Sequence, residues 1–448
     1  MTFKHDDLLA KLAEVAELAG RPSRYVIAYS GGLDSTVMLH ALVASRDVHQ
    51  TRLTAVHIDH ALHDDSAAWS QHCKAIADSL DVELVELKVH VDVDSGEGTE
   101  GAARRARYDA FRSYVRAGDW LLSAHHKDDQ AETLLLNLMR GSGPAGLAGI
   151  GEIRPLAGGW LVRPLLSVAR SQLQDYAAKH ELNWIDDPSN EDRQYDRNYL
   201  RHEVLPRLQS RWPDVASRLK RSAVLAGEAS LLLDQLADAD FRTLGGRADR
   251  LALKRLQELP PARQRNVLRY VVRELGLPSP PATTLQSLIT ELIPARDDAQ
   301  PIVTWPGAEI RRYRDNVYVL AASTTAESDA VRPITFGTAT KSVALAPGLG
   351  DLDLEPGAPS GLADAVVTRG LELRYRSGGE EIKPLGQLHT RKLKKLLQEE
   401  GVVPWMRDKL PLVYSEGKLV AVADLWIAAG AASEPGTAIR WRNRPSLH

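Results

Sequence analysis

The alternation of short apolar runs with helical stretches constrains the fold of this chain more than any other feature. Roughly the first 185 residues contain four apolar runs rich in β-forming residues, and a helical stretch follows each run. The runs are Tyr25–Tyr29, Leu53–Asp59, Glu83–Val89 and Trp120–Ala124, and the helical stretches are Asp34–Ser45, Asp64–Leu80, Gly98–Val115 and Asp128–Met139. Repeated strand–helix units predict parallel strands with right-handed crossovers and helices on both faces. The predicted fold class is therefore α/β, with a doubly wound, mostly parallel sheet.

The remainder of the chain changes character twice. Helical patterns dominate after about residue 190, with Ser217–Leu236 carrying an apolar face, Ala262–Leu275 forming another helix and Ile310–Leu320 adding a small β part. A small, polar stretch follows, and then a part rich in Gly and Pro with one strong helix, Thr390–Glu400. We predict a catalytic domain at 1–216, a mainly helical middle domain at 217–320, a linker at 321–340 and a small α/β domain at 341–448.

The composition excludes several classes of protein. The chain has 448 residues, of which 44% are hydrophobic and 26% charged, so disorder, collagen and coiled coil are excluded. The one cysteine, Cys73, cannot form an internal disulfide, a thiolate zinc site or an iron–sulfur cluster. The amphipathic start of the chain predicts no secretory leader, and no apolar stretch is long enough for a membrane span. We therefore expect a cytoplasmic protein.

Charge is unevenly distributed along the chain. The formal net charge is −3, but Leu371–His448 holds thirteen basic and nine acidic residues, a net charge of +4. Arg391, Lys392, Lys394 and Lys395 lie within five positions of that segment. A local basic patch on a nearly neutral protein fits a polyanion that docks at one place, although a solvated helix face would look the same.

The segment after the first predicted strand is suited to binding phosphate. It reads Ser30-Gly31-Gly32-Leu33-Asp34-Ser35 and opens a helix. Two glycines allow a tight turn and a close approach of the backbone to a ligand, and the helix N-terminus offers unpaired N–H groups. The Walker A motif requires a Lys, which this segment lacks. Because Asp34 would repel phosphate unless a cation lay between them, the segment predicts a nucleoside triphosphate bound with Mg²⁺.

Polar residues follow other predicted strands of the same sheet. The second strand ends in His57-Ile58-Asp59-His60-Ala61-Leu62, and the fourth is followed by His125-His126-Lys127-Asp128-Asp129-Gln130. Ligands of an open parallel sheet bind beyond the carboxyl ends of its strands, so these residues should face the Ser30–Ser35 segment. The two histidines and two carboxylates of the latter segment, His125, His126, Asp128 and Asp129, fit metal binding or acid–base chemistry, while a packing role for His125 and a capping role for Asp128 remain alternatives.

A further helix face carries charge toward the same region. Glu100, Arg104, Arg107 and Tyr108 recur at helical spacing within Gly98–Tyr108. Arg104 could reach a phosphate or an anionic transition state, or pair with Glu100 at the surface.

These segments together resemble a known family. The Ser30–Ser35 sequence is similar to the signature of the N-type ATP pyrophosphatases, the PP-loop family. With the segments above, in the same order, come Arg140–Leu147, Trp184–Asn190, Tyr195–Arg201 and the stretch from Arg391 to Arg407. The whole set closely resembles the tRNA(Ile)-lysidine synthetase family over nearly the entire chain, although 228–320 matches more in length and helical character than in motif.

The resemblance implies a reaction and its participants. The family joins the ε-amino group of free L-lysine to C2 of the wobble cytidine in the CAU anticodon of tRNA(Ile). ATP with Mg²⁺ would bind at Ser30, Gly31, Gly32, Leu33, Asp34 and Ser35. Cytidine O2 would attack the α-phosphate with loss of pyrophosphate, and lysine would then displace AMP.

The resemblance also implies roles for individual residues. Asp34 is the candidate for Mg²⁺, Asp128 or Asp129 for a metal or the lysine amine, and Arg104 for the adenylate. The base that deprotonates lysine could be His125, a carboxylate or solvent. The candidates for contact with tRNA are Arg197, Asn198, Arg201, Arg391, Lys392, Lys394 and Lys395, and a monomer or homodimer is expected.

Three other functions fit the residues less well. A sulfur-inserting PP-loop enzyme and a glutamine-dependent amidating ligase both depend on reactive cysteines, which the lone, mid-helix Cys73 does not supply. A nucleotide-gated RNA-binding protein without catalysis would not need Asp34, Asp128 and Asp129. The residues therefore favour the ligase.

Overall fold

The computed structural model describes residues 3–60, 66–92, 98–296, 299–322, 334–336 and 342–447, with the backbone alone at 99–100, 189–190 and 334–336. The chain forms two compact units, Met1–Leu236 and Ala237–His448. The strands of the first unit are β1 (Arg24–Ala28), β2 (Arg52–Asp59), β3 (Glu83–Lys88), β4 (Asp119–Leu122), β5 (Ile153–Leu156) and β6 (Gly159–Val162). Its helices are α1 (His5–Ala19), α2 (Leu33–Ala44), α3 (Arg46–His49), α4 (Ser66–Ser79), α5 (Gly98–Tyr114), α6 (Lys127–Met139), α7 (Pro144–Leu147), α8 (Arg170–Lys179), α9 (Asp196–Tyr199), α10 (Leu205–Arg211) and α11 (Val215–Thr243), the last of which contains the division between the units.

The first unit is built on a six-stranded sheet in the order β3-β2-β1-β4-β6-β5. All neighbouring pairs are parallel except β5 with β6. The predicted doubly wound, mostly parallel sheet is thereby confirmed, and the ends of the predicted elements shift by two residues at most, apart from the predicted helix start at Asp64, which lies outside the described residues. The strand order reverses between β1 and β4, and a ligand of such a sheet binds in the crevice at that point.

Alternating side chains of the strands supply two cores, one on each face of this sheet. Tyr25 and Ile27 of β1 lie in a core with residues of α1, α2 and α8, whereas Val26 lies in a second core with Tyr108 and Phe111 of α5. This alternation is the period of two expected for a strand that is covered on both faces. The polar carboxyl ends of the strands are therefore left as the place for chemistry.

The second unit contains two further cores. Its helices are α12 (Leu253–Glu258), α13 (Pro261–Glu274), α14 (Ala282–Ser287), α15 (Asp364–Thr368), α16 (Leu393–Glu400) and α17 (Pro404–Arg407). Its strands are β7 (Arg250–Ala252), β8 (Ile302–Trp305), β9 (Ala308–Tyr313), β10 (Asn316–Ala321), β11 (Ile334–Phe336), β12 (Ser342–Ala344), β13 (Asp351–Ala358), β14 (Gly361–Leu362), β15 (Leu371–Tyr375), β16 (Glu381–Ile382), β17 (Arg391–Lys392), β18 (Pro411–Ser415), β19 (Lys418–Val422), β20 (Trp426–Ile427), β21 (Ala432–Ser433) and β22 (Gly436–Arg442).

The middle part of the chain is helical, as predicted, but its β portion is larger than Ile310–Leu320. Helices α12 to α14 share a core with an antiparallel sheet in the order β7-β10-β9-β8. Tight turns at Gly307 and Arg314, both at positive φ, join β8, β9 and β10. The C-terminal part is a small α/β region with sheets in the orders β11-β15-β18-β19-β20 and β12-β13-β22-β14-β21.

The predicted helix Thr390–Glu400 is wrong at its start. The helix begins at Leu393, because Arg391 and Lys392 form β17 and pair with Ile382 and Glu381 of β16. A strand pairing between distant segments replaces the first turn of the helix. The apolar face of this helix is confirmed, since Leu393, Leu396 and Leu397 are buried.

Helix α11 is longer than the predicted Ser217–Leu236, and its leucines are not buried. Leu225 and Leu232 are 57% and 65% exposed, and Leu233 and Leu236 are 38% exposed. The predicted linker at 321–340 falls largely outside the described residues, so the predicted domain limits stay a prediction. Within the described part of the chain, no helix has the length and apolarity needed to cross a bilayer.

Candidate active site

The Ser30–Ser35 segment, which we call the phosphate loop, connects the end of β1 to the start of α2. Gly31 has a φ of +81°, and Gly32 is the N-cap of α2. The Ser30 and Ser35 Oγ atoms are hydrogen-bonded at 3.1 Å, and Ser35 Oγ also donates to the Gly32 carbonyl at 3.0 Å. The loop is thus closed by its own hydroxyls, while the first backbone N–H groups of α2 are left for an anion.

The phosphate loop lies directly against buried side chains. A Cβ added to Gly31 would lie 2.7 Å from Cys73 Sγ and 3.1 Å from Ile185 Cδ1. The Gly31 carbonyl accepts a hydrogen bond from the Ile185 N–H at 2.9 Å. Cys73 is fully buried beside His57, and burial raises the pKa of its thiol to about 12. Cys73 therefore has a packing role behind the loop.

Asp34 has the features of a ligand for a hard cation. Its Oδ1 is buried, and among the described residues that oxygen has no hydrogen-bond partner. Its Oδ2 lies 3.6 Å from His126 Nε2. In the described part of the chain, no group of three or more His, Cys, Asp or Glu side chains could hold a metal alone. The residues present therefore fit Mg²⁺ that takes its other ligands from nucleotide phosphates and water.

His126 is the N-cap of α6 and joins that helix to the phosphate loop. Its Nδ1 accepts the backbone N–H groups of Asp128 and Asp129 at 3.2 and 3.4 Å, which leaves Nε2 facing the Asp34 and Asp129 carboxylates. Burial lowers the pKa of His126, but the carboxylates of Asp129, Asp34 and Asp128 outweigh it and raise the pKa overall. Asp128 Oδ2 accepts the Arg170 N–H at 2.9 Å and so holds the start of α8.

A buried cluster of two carboxylates and two arginines lies one turn further along α6. Arg197 donates to Glu132 and Asp129 at 2.7 Å each, and Arg201 donates to Glu132 at 2.7 and 3.0 Å. Glu132 is 1% exposed. Burial raises the pKa of Asp129, but His126 and Arg197 outweigh it and lower the pKa to about 2. We call these four residues the carboxylate–arginine cluster.

The predicted tRNA-binding residues fall into two groups. Arg197 and Arg201 are paired with carboxylates in the cluster, and the Asn198 side chain donates to the Asp192 carbonyl at 2.9 Å. Arg391 is paired with Glu399. Three lysines of the C-terminal patch are exposed, namely Lys392, Lys394 and Lys395. The three lysines are thus open to solvent, whereas the three arginines are paired with carboxylates of the chain.

A cavity of about 1040 Å³, here called the arginine cavity, lies beside α5 and α6. Its lining includes seven arginines together with Tyr108, His125 and Tyr195: Arg104, Arg105, Arg112, Arg140, Arg154, Arg163 and Arg197. Tyr195 is 45% exposed. The lining contains no residue of the phosphate loop. Among the described residues, the phosphate loop and the arginine cavity are therefore two separate features that attract anions.

His125 lies in the arginine cavity, next in sequence to His126. Its Nδ1 is hydrogen-bonded to Ser123 Oγ at 2.7 Å. Burial, assisted by the charges of Arg163, Arg197 and Arg104, lowers the pKa of His125 to about 3 despite the opposing effect of Asp129. His125 is therefore neutral at physiological pH and a weak base.

The sequence analysis missed three residues of this region. Glu132 lies within the segment that follows β4 but was not singled out, and Arg154 and Arg163 lie at β5 and just after β6. One signal was available: Asp129 and Glu132 are three apart, and Arg197 and Arg201 are four apart, so each pair lies on one helical face. No local pattern marked Arg154 or Arg163.

The sheet and its phosphate loop at the point of strand reversal define an ATP-binding enzyme of the PP-loop class. A family model described as a PP-loop domain matches residues 5–208. Two others, described as the TilS substrate binding domain and the TilS substrate C-terminal domain, match residues 251–318 and 371–442.

Curated proteins give the same result over nearly the full length. The chain is 42% identical to the tRNA(Ile)-lysidine synthase of Alkalilimnicola ehrlichii, covering 95% of both chains. It is 41% identical to that of Xanthomonas campestris pv. campestris, covering 94% of this chain and 96% of the other. It is 38% identical to that of Methylococcus capsulatus, with the same two coverages. The chain belongs to the tRNA(Ile)-lysidine synthase family.

Replacing Gly31 by Ala is expected to destabilise the first unit by about 2–4 kcal/mol, because the methyl group would meet Cys73 Sγ at a positive φ. The matched control is Gly20→Ala, which has a φ of +75° but nothing within 4 Å. Chemical denaturation measures both variants, and the double variant G31A/C73A should recover part of the loss. Equal losses for Gly31→Ala and Gly20→Ala would contradict the packing argument.

The lowered pKa of His125 predicts a pH dependence of stability. Between pH 6.5 and about 3 the unfolded chain binds a proton at His125 and the folded chain does not, so stability falls as pH falls through this window. The unfolding midpoint should decrease less between pH 7 and pH 5 in the His125→Asn variant than in the parent chain. The exposed His90→Asn serves as the control and should leave the loss unchanged.

Proposed function

We propose that this site carries out the reaction of its family, the ATP-dependent ligation of L-lysine to C2 of the wobble cytidine of tRNA(Ile) with a CAU anticodon. The chain is then a ligase that forms a C–N bond and modifies tRNA. The reaction joins three substrates, so the site must hold a triphosphate, an RNA loop and an amino acid within bonding distance of one another.

The observation that carries the proposal is the arrangement of two neighbouring histidines. His126 Nε2 lies 3.6 Å from Asp34 of the phosphate loop, whereas His125 lines the arginine cavity. One strand end thus adjoins both anion-attracting features. A nucleotide on the loop and an RNA loop in the cavity would meet at this strand end, where cytidine O2 could attack the α-phosphate in line with the departing pyrophosphate.

ATP is assigned to the phosphate loop. Backbone N–H groups at the start of α2 and the hydroxyls of Ser30 and Ser35 would bind its phosphates. Asp34 would hold Mg²⁺, which when bound neutralises charge on the phosphate oxygens. The role of Asp34 rests on its buried Oδ1, to which no group of the described residues donates a hydrogen bond.

Arg104 is assigned to the adenylated cytidine. It lines the arginine cavity, and its charge contributes to the low pKa of His125. A guanidinium at this position can neutralise the negative charge that develops on the α-phosphate and then leaves with AMP. The neutral ring of His125 is suited to accept or donate a hydrogen bond at the reacting base.

Asp129, rather than Asp128, is assigned to the ammonium group of lysine. Asp128 accepts the N–H of Arg170 and faces α8, whereas the charge of Asp129 acts on His125 in the cavity. Asp129 stays ionised because its pKa is about 2, and for the same reason it is a weak base. Since His125 is also a weak base, we assign the lysine proton to solvent.

The three exposed lysines of the C-terminal patch are assigned to the phosphate backbone of the tRNA. Arg197, Asn198 and Arg201 stay candidates for contact with the anticodon side, and of these Arg197 lines the arginine cavity. A monomer or homodimer and a cytoplasmic location stay predictions.

Incorporation of radiolabelled lysine into tRNA(Ile) with a CAU anticodon tests the proposed function. We expect labelling that requires ATP and falls at least a hundredfold in Asp34→Asn, because loss of a metal ligand removes charge neutralisation at the phosphates. The exposed Asp47→Asn is the matched control and should retain labelling. Pyrophosphate release that depends on RNA, without labelling, would show that the nucleophile is not lysine.

Replacing Lys392, Lys394 and Lys395 together by Gln is expected to weaken tRNA binding and to lower its salt dependence. The slope of log affinity against log salt should fall by about 0.7–0.9 for each tRNA phosphate that a lysine no longer neutralises. ATP affinity should not change. The exposed Lys418→Gln variant should bind tRNA like the parent chain, and an unchanged slope in the triple variant would reject the assignment.

A further inference from the structure

Three arginines converge on one tyrosine ring inside the arginine cavity. The guanidinium carbon of Arg104 lies 5.2 Å from the centroid of the Tyr108 ring, and that of Arg154 lies 4.9 Å from it. Arg163 donates from a terminal nitrogen to the Tyr108 hydroxyl at 3.5 Å. All four side chains line the cavity. The ring attracts the cations at its faces and thereby fixes where they lie.

Two of these arginines, the buried Arg163 and the half-buried Arg154, have no anion beside them in the described part of the chain. Arg163 is 4% exposed, and the Nε atoms of both Arg163 and Arg154 are buried with no hydrogen-bond partner among the residues that the structure describes. Within the described residues, neither forms an ion pair with a carboxylate. Arg197, on the same cavity, is instead neutralised by Asp129 and Glu132. Burial lowers the pKa of Arg163, with a smaller contribution from Arg154 and Arg104.

An unpaired buried guanidinium is costly, so an anion that enters the cavity would be bound tightly. Arg163 is kept in place by hydrogen bonds to the Gly151 carbonyl and to Tyr108. Among the described residues, the Nε–H groups of Arg163 and Arg154 are buried donors without acceptors. Arginine donors in a fixed arrangement match the oxygens of a phosphate group.

We propose that Arg154 and Arg163, held on Tyr108, form a subsite for one backbone phosphodiester of the anticodon loop, adjoining the wobble nucleotide. This inference rests on the proposed function, which brings that loop into the cavity. Arg105, Arg112 and Arg140 continue the positive lining beyond the subsite. Such a lining suits a chain of phosphates rather than a single carboxylate or the ATP held by the phosphate loop. Tyr108 is a positioning residue, because it acts through the arginines.

The first test compares Arg154→Gln with Arg116→Gln. Arg116 is exposed, follows the same helix α5 and does not line the cavity. We expect Arg154→Gln to weaken binding of full-length tRNA(Ile) about tenfold and to lower the salt slope by about 0.7. Arg116→Gln should match the parent chain. Dissociation constants for ATP and the KM for lysine should be unchanged in both variants.

The second test locates the phosphate. Full-length tRNA(Ile) is prepared with a single neutral methylphosphonate at each phosphate around the wobble nucleotide in turn. One position should weaken binding to the parent chain about tenfold but have no further effect on Arg154→Gln, because the two changes remove the same contact. In the Lys394→Gln variant, the methylphosphonate at that position should weaken tRNA binding as much as it does in the parent chain. The Arg163→Lys variant should show a partial loss of tRNA affinity. It keeps the positive charge, in case a neutral variant does not fold.

The positioning role of Tyr108 is tested by the slope of log tRNA affinity against log salt concentration in two variants. Tyr108→Phe keeps the ring under Arg104 and Arg154 and should lower the slope less than Tyr108→Leu, which removes the ring. Equal slopes for the two variants and the parent chain would reject the positioning role. A thermal unfolding midpoint measured for each variant separates this effect from a loss of structure.

Several outcomes would overturn the subsite. Additive losses at every methylphosphonate position would show that Arg154 touches no phosphate near the wobble nucleotide. A raised KM for lysine with unchanged tRNA affinity would assign the arginines to the lysine carboxylate, and a weakened ATP affinity would assign them to the nucleotide. Lysine incorporation into unmodified tRNA by the parent chain is measured alongside, so failure of the proposed function is seen independently.

Discussion

The arrangement of the site depends on the buried pairing of Asp129 and Glu132 with Arg197 and Arg201. Two negative and two positive charges are removed from water together, so each of them is compensated only while all four are present. The pairing ties helix α6 to the α9 segment that supplies one wall of the arginine cavity. Asp129 also accepts the N–H of His126 at 2.9 Å, which fixes the residue that faces Asp34. One ionic cluster thus sets the positions of both substrate-facing features.

Much of the catalytic domain could be predicted because its signals are local. The strand and helix periods, the two glycines at the start of α2 and the polar residues after β4 all lie within short windows, and the parallel sheet brings their ends together. The position of Asp34 opposite His126 follows from that topology. Its buried Oδ1, which has no hydrogen-bond partner among the described residues, fits the cation that was expected between a carboxylate and a phosphate.

What the sequence did not reveal depends on long-range contacts. Arg197 and Glu132 are 65 residues apart, and the spacing of acidic residues on one helix and of arginines on another does not indicate that the two sets pair with each other. The positive charges of Arg197 and Arg201 suggested contact with RNA, yet the carboxylates of Asp129 and Glu132 neutralise them. In the same way Arg391 and Lys392 have a helical pattern, but pairing with Glu381 and Ile382 places them in a strand. Arg163 escaped notice because a single arginine after a strand carries no pattern of its own.

The position of Cys73 has a practical consequence. It is the one thiol of the chain, it is fully buried, and it lies where a side chain of Gly31 would be. A thiol reagent can reach it in the native protein only when the surrounding structure opens, so the rate of alkylation measures the opening of the phosphate loop. A nucleotide that holds the loop closed would slow that rate. The alkylation rate of Cys73 therefore reports on the motion of the nucleotide site in the native chain, without an introduced label.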